Sequence, residues 1–213
     1  ARAVSILGTL LYETFHPQVQ WQVPPLPSND GDKHGDHSSN NCAVCSTFFE
    51  QYVVLSSRGA EMLQSETATQ ATPLWFFSRK LRLTASNVSK VPKRESTVCE
   101  KAAVRMLSPS FSGNAATRYG KQMEPVARKQ FSKKTGLTVR QTGTVVNTEF
   151  PWLSASPDGL IEGMDAILEI KCPHTNDCVP LISSGKYDVR LNKDAKLELQ
   201  DCGPNGYYSQ VQF

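Results

Sequence analysis

Apolar positions along this chain fall into unequal groups, and their spacing changes partway through. Residues 1–16 hold a short apolar run from Ala3 to Tyr12 that predicts a short helix. The run is brief and lacks a small-residue cleavage pattern, so a core element is expected there rather than a signal peptide. Residues 17–41 contain Pro17, Pro24, Pro25 and Pro27, followed by clustered Ser, Asn, Asp and Gly. Breakers at this density predict a linker or long loop. Helical spacing resumes at Phe48, Tyr52, Val53 and Leu55 and carries on to Leu63. A second polar stretch, Ser65 to Thr72, ends at Pro73.

From Leu74 onward the patterning is that of a packed domain. Leu74 to Leu83 predicts a helix with a basic face, and Thr84 or Ser86 would cap a following helix through Val88 and Val91. Glu95 to Leu107 is a further helix candidate. Another runs from about Tyr119 to Lys134 and stops at Gly136, a suitable C-terminal glycine. Within it, Pro125 disfavours a helical Glu124 unless the proline lies in the first turn, so Glu124 is expected as an N-cap. The period then changes. Val139, Thr144 to Val146 and Trp152-Leu153 have strand composition, Pro157-Asp158-Gly159 signals a turn, and Ala166 to Lys171 reads as a strand ended by Pro173. Helices followed by hairpin-like strands predict an α/β or α+β fold. The expected organisation is an N-terminal helical and linker region, 1–73, with no legible function, and one domain over 74–213.

Composition narrows the classes. A chain of 213 residues suits one domain or little more. Hydrophobic residues at 39% and charged residues at 20% exclude a wholly disordered chain. The 23 basic and 20 acidic side chains leave a net charge of +3, so any nucleic-acid surface has to be local. No run approaches the roughly 18 apolar residues of a spanning helix, and no membrane partner is expected. The six cysteines need not be bridged in a chain of this length; reduced thiols and an intracellular site are expected, nuclear in a eukaryotic host. His34, His37, Cys42 and Cys45 have the residue types for a structural Zn²⁺, with a solvated glycine- and serine-rich linker as the competing reading. Trp75, Phe76 and Phe77 suit a helix core better than base stacking. Lys90, Lys93 and Arg94, with Arg128, Lys129, Lys133 and Lys134, are clustered cations that suit either a solvated face or phosphates.

The chemistry concentrates in Ser156-Pro157-Asp158-Gly159 and Leu168-Glu169-Ile170-Lys171. On a strand Glu169 and Lys171 share a face, and Asp158, 11 residues before Glu169, can return to the same end of a sheet. Two carboxylates are hard oxygen ligands for Mg²⁺, and the carbonyl of Ile170 could add another. A metal there lowers the pKa of bound water, and a lysine can orient that water or neutralise charge developing on a phosphate. Alone, Pro-Asp-Gly is a common turn sequence and Glu169–Lys171 an ordinary ion pair. Their order around one apolar strand is the specific feature.

That order resembles the PD-(D/E)XK nuclease superfamily. Further segments narrow the resemblance: Arg79-Lys80-Leu81-Arg82-Leu83-Thr84-Ala85-Ser86, Tyr119-Gly120-Lys121-Gln122-Met123-Glu124, Leu153 to Leu160, Leu168 to Pro173, and Tyr207-Tyr208-Ser209-Gln210-Val211-Gln212. Together they are similar to the lambda-exonuclease branch, the YqaJ-like viral recombinase domain, over roughly residues 74–213. The resemblance implies a restriction-endonuclease-like α/β core, a central mixed sheet flanked by helices. It implies Asp158 and Glu169 as metal ligands, Lys171 as the catalytic lysine, Glu124 completing the site of a Mg²⁺ (or Mn²⁺) ion, and Gln210 beside the lysine. Arg79 and Ser86 would bind a DNA 5′-phosphate; seven residues is about two helical turns, although Thr84-Ala85 favour a loop at Ser86. The implied activity is exonuclease action, 5′ to 3′, on double-stranded DNA ends in recombination or repair. A single-strand annealing protein and a homotrimer are the implied partners. Family members continue beyond the Gln210 helix, so the C-terminal part of the domain is expected to be missing. The alternative is a non-catalytic domesticated recombinase domain that binds DNA ends or a protein partner.

Overall fold

The computed structural model describes residues 42–94, 96–97, 99–107 and 113–213. The readings for residues 1–41, including His34 and His37, fall outside them. Two compact units share the described chain. One takes the residues up to Leu83 together with Gly143–Ser154, the other Thr84–Thr142 together with Ala155–Phe213. The α/β class expected from the sequence is present, with helices alongside three short sheets of three, three and two strands among the described residues.

Among the described residues, the first unit opens with three helices, α1 (Ala43–Tyr52), α2 (Ser57–Glu66) and α3 (Pro73–Lys80). Ser56 caps α2 by accepting from the Gly59 N–H, and Thr72 caps α3 by accepting from Trp75, with Pro73 at the first position. The apolar spacing noted in the sequence becomes a core of Leu55, Ala60, Leu63 and Val146, with Leu74 packed on it. The buried Thr67 hydroxyl donates to Leu63 O (2.6 Å) and accepts from Thr144 N (2.8 Å). This contact leaves no room at Gly143, where a Cβ would sit 2.2 Å from Thr67 Oγ1.

The helix expected to reach Leu83 ends at Lys80. Arg82 turns inward, buried, and its guanidinium donates to the carbonyls of Val53, Ser78 and Pro151. Leu83 N then donates to Trp152 O in β1 (Leu83–Thr84), which lies beside β4 (Leu153–Ala155); β3 (Val145–Val146) completes that sheet. Three satisfied carbonyls and a strand bond replace the last helical turn.

The second unit opens with a 3-10 helix, Ala85–Lys90, where a capped α-helix was expected. The Thr84 and Ser86 hydroxyls bond each other (3.1 Å) and neither caps it. Helix α4 is Cys99–Leu107 and α5 is Ala115–Thr135. Asn114 caps α5 by accepting from Thr117 N, and Gly136 closes it with a left-handed φ of 74°. Pro125 therefore lies well inside the helix, and Glu124 is a helical residue and not the expected N-cap. The strong start at Asn114, ahead of the expected one, carries the helix past the hydrogen bond that the proline lacks.

Strands β2 (Val139–Arg140), β5 (Gly159–Ile161) and β6 (Ile167–Leu168) form an antiparallel sheet with β5 in the middle. A hairpin of β7 (Val189–Leu191) and β8 (Leu197–Leu199) follows the short helix α6 (Val179–Ser183). Helix α7 (Tyr207–Gln212) packs on the 3-10 helix. Among the described residues no helix is long and apolar enough to cross a membrane.

Candidate active site

Register builds the centre of the site. Gly159 pairs with Leu168 and Leu160 with Ile167, so the next residues outward, Asp158 and Glu169, face each other across the end of the β5–β6 pair. The strand expected over Ala166 to Lys171 stops at Leu168. Pairing with β5 ends at Gly159, so Ile170 lies beyond the ladder. The Asp158 carboxylate accepts there instead: Ile170 N donates to Oδ2 at 2.6 Å. On the other side of β5, Gly159 lets Val139 of β2 pack close, since a Cβ there would lie 2.3 Å from Val139 Cγ1.

Beyond the ladder, side chains take over. Lys171 Nζ donates to Glu169 Oε1 (2.5 Å) and to Gln210 Oε1 (3.1 Å). Gln210 Nε2 donates to the same Glu169 oxygen. Lys171 also lies over the Tyr207 ring, 5.1 Å from its centroid, and that ring meets Tyr187 edge-on. Glu169 and Lys171, expected on one face by strand alternation, are thus brought together by an ion pair outside any strand.

Glu124 comes from α5. Gly120, one turn earlier on the same face, stands beside the chain after β6, where a Cβ would make an ordinary van der Waals contact with Cys172 O at 3.8 Å. Glu124 accepts from Arg128, one turn on, whose Nε is buried without a hydrogen-bond partner among the described residues. Arg128, counted among the clustered cations in the sequence, is therefore turned to the carboxylates.

All three acids are shifted upward. Burial raises Glu124 most, and the charges of Asp158 and Glu169 add to it. Burial raises Asp158 against the lowering effect of the Ile170 N–H, Lys171 and Arg128. Burial and Asp158 raise Glu169, opposed by Lys171 and Gln210. Carboxylates this close and this desolvated are poorly compensated by the two nearby cations.

Among the described residues no group of three or more His, Cys, Asp or Glu side chains is already drawn around one point as a metal cage. The donor set nevertheless fits a hard cation. Only Oδ2 of Asp158 and Oε1 of Glu169 are engaged by described residues, so Oδ1 and Oε2 are available oxygen donors at one end of the sheet.

The other expected residues lie elsewhere. Arg79, in the last turn of α3, stacks over Trp75 at 4.3 Å in the first unit, and Ser86 is exposed on the 3-10 helix of the second. No continuous helix joins them. Phe76 is exposed, in contrast to the core role expected for it. Cys42 is buried at the start of α1, with Cys45 on its first turn and hydrogen-bonded to it. The sequence reading did not single out Tyr207 or the Glu124–Arg128 pair, although their spacings, three residues before Gln210 and four after Glu124, were visible signals.

The model of the YqaJ-like viral recombinase domain matches residues 74–213. Two solved structures are similar at 29% sequence identity. One is an alkaline exonuclease (LHK-Exo) from Laribacter hongkongensis, with a TM-score of 0.47, over 65% of this chain and 64% of that one. The other is LHK-Exo in complex with dAMP, with a TM-score of 0.46, over 66% of each chain. The present chain thus spans just under two thirds of the length of each. No curated protein matches it.

Proposed function

The chain belongs to the YqaJ-like viral recombinase family, and from that premise we propose that residues 74–213 form a metal-dependent DNA nuclease of the PD-(D/E)XK type. The observation that carries the reading is the convergence of Asp158, Glu169, Lys171 and Gln210 at the end of the β5–β6 pair. Asp158 and Glu169 would hold a Mg²⁺ (or Mn²⁺) ion through their available oxygens, with the Ile170 carbonyl and Glu124 contributing. When bound, such an ion supplies a water activated for attack and stabilises charge on the phosphate.

The protein's own groups do the rest. The Ile170 N–H fixes the Asp158 carboxylate, so its second oxygen keeps one direction. Glu169 and Gln210 hold the Lys171 ammonium, which would donate to the attacking water or to a phosphate oxygen as negative charge grows there. Tyr207 supports the same ammonium from its ring face. Arg128 would balance the carboxylates until substrate and ion arrive.

By family, the substrate proposed is the 5′-ended strand of linear duplex DNA, with Arg79 and Ser86 as 5′-phosphate ligands. The test is degradation of a 5′-phosphorylated linear duplex with Mg²⁺ and with chelator, for wild type and Lys171→Ala. Metal-dependent loss of the 5′-ended strand that disappears in the variant is expected. No cleavage by wild type, with duplex ends still bound, would replace this reading by that of a DNA-end-binding domain.

A further inference from the structure

A pocket of about 690 Å³ opens between the 3-10 helix and α4, within the second unit. The charge of its described lining is one-sided. Lys90 enters from the 3-10 helix, Lys101 and Arg105 from α4, and none of the described residues lining it is acidic. Lys101 and Arg105 are four apart, so their side chains share a helix face, where like charges repel. Among the described residues none of these three cations has a carboxylate partner. Lys90 is held in place by a hydrogen bond to Asn87 Oδ1 (2.8 Å). Ala102 and Met106 add an apolar floor. Converging cations over an apolar floor match a group that is anionic at one end and flat and apolar at the other.

The geometry points to a nucleotide-binding subsite here, for a backbone phosphate and its neighbouring base or sugar in a DNA strand. It rests on the reading of the chain as a DNA nuclease. The 3-10 helix that supplies Asn87 and Lys90 packs on α7, the helix of Gln210. A strand held at the carboxylates therefore has a cationic surface next to the same structural element. The contact is to phosphate, so it carries affinity and position without sequence choice.

The test is binding, in chelator so that nothing is cut. Full-length protein is titrated with a fluorescent 20-base-pair duplex at several salt concentrations, and Lys101→Ala/Arg105→Ala is compared with wild type. Loss of two phosphate contacts lowers the slope of log K against log salt by about 1.8, roughly tenfold in affinity near 50 mM salt relative to 200 mM. Both side chains are exposed, and unchanged thermal unfolding checks the fold of the variant. Lys101→Arg should restore most of its share, and Lys193→Ala/Lys196→Ala, on the β7–β8 turn, should leave the slope unchanged. An unchanged slope in the Lys101/Arg105 variant overturns the subsite. So does a variant that loses binding of thymidine 5′-monophosphate yet keeps the duplex slope, because the pocket would then serve a free nucleotide. Cleavage is not read, so failure of the nuclease reading and failure of the subsite are separable.

Discussion

Asp158 and Ile170 are joined by a bond that a longer strand would have made from backbone to backbone: the Ile170 N–H donates to the Asp158 carboxylate. The same carboxylate thus ends the sheet, and its charge raises the pKa of Glu169 across the strand end. Asp158→Asn keeps the shape but loses the charge that attracts both the amide and a cation. Cleavage is expected to fall at least about a hundredfold, with duplex binding in chelator retained. Full activity in that variant would remove Asp158 from the chemistry.

Gln210 works through its neighbours, donating to Glu169 and accepting from Lys171. Gln210→Ala should lower the cleavage rate about tenfold, the equivalent of roughly 1.5 kcal/mol of hydrogen bonding. Gln210→Glu adds a fourth acid near Lys171 and should shift the pH profile of cleavage, which a purely structural role would not do. Rates for both variants across pH decide it.

Gly159 has no space for a side chain against Val139. Gly159→Ala is expected to cost about 1–3 kcal/mol through overpacking, and to lower activity because Asp158 is its neighbour. Adding Val139→Ala should recover part of the loss. Urea unfolding of the two single variants and the double variant measures that coupling, and strict additivity would contradict the contact.

Arg82 donates to three carbonyls from a buried position. Lysine cannot reproduce that planar fork, so Arg82→Lys should lose about 3 kcal/mol and recover less than half of what Arg82→Ala loses. Equal stability of Arg82→Lys and wild type in urea would rule the network out as a stabilising element.

Asp188 links stability to pH. It is fully buried, and burial alone would push its carboxyl up; the N–H groups of Tyr207, Asn205 and Gly206 and the Asn205 amide outweigh this and hold it below its ordinary value. A lowered native pKa gives stability that is present above the unfolded value of about 3.8 and is lost as pH falls through the native one. Asp188→Asn should destabilise the protein near neutral pH by about 2 kcal/mol and flatten this acid limb. Thermal unfolding of both proteins from pH 7 down to pH 3 tests it.

Gln210 was named only through resemblance to family motifs, whereas the clustering of Asp158, Glu169 and Lys171 was legible in turn chemistry and strand spacing. So were the α/β class, the Gly136 helix stop and the strands near 139, 145 and 153, whose periods are local. Helix ends were less legible. Leu83 reads as helical by spacing, but a bond to Trp152, far along the chain, decides its state. Pro125 reads as a helix start, but the cap at Asn114 overrides it.

Sequence by itself therefore determined which reactive groups this protein has and roughly which elements carry them, since those follow from residue type and near-neighbour spacing. Tertiary structure alone decided how they meet. It ended β6 at Leu168 so that a carboxylate replaced a ladder acceptor, turned Arg128 toward Glu124, and seated Lys171 on Tyr207. These contacts depend on the register of strands and on the tight packing of Gly159 against Val139. Distances of that kind are set by packing between distant segments, and no local pattern of residues encodes them.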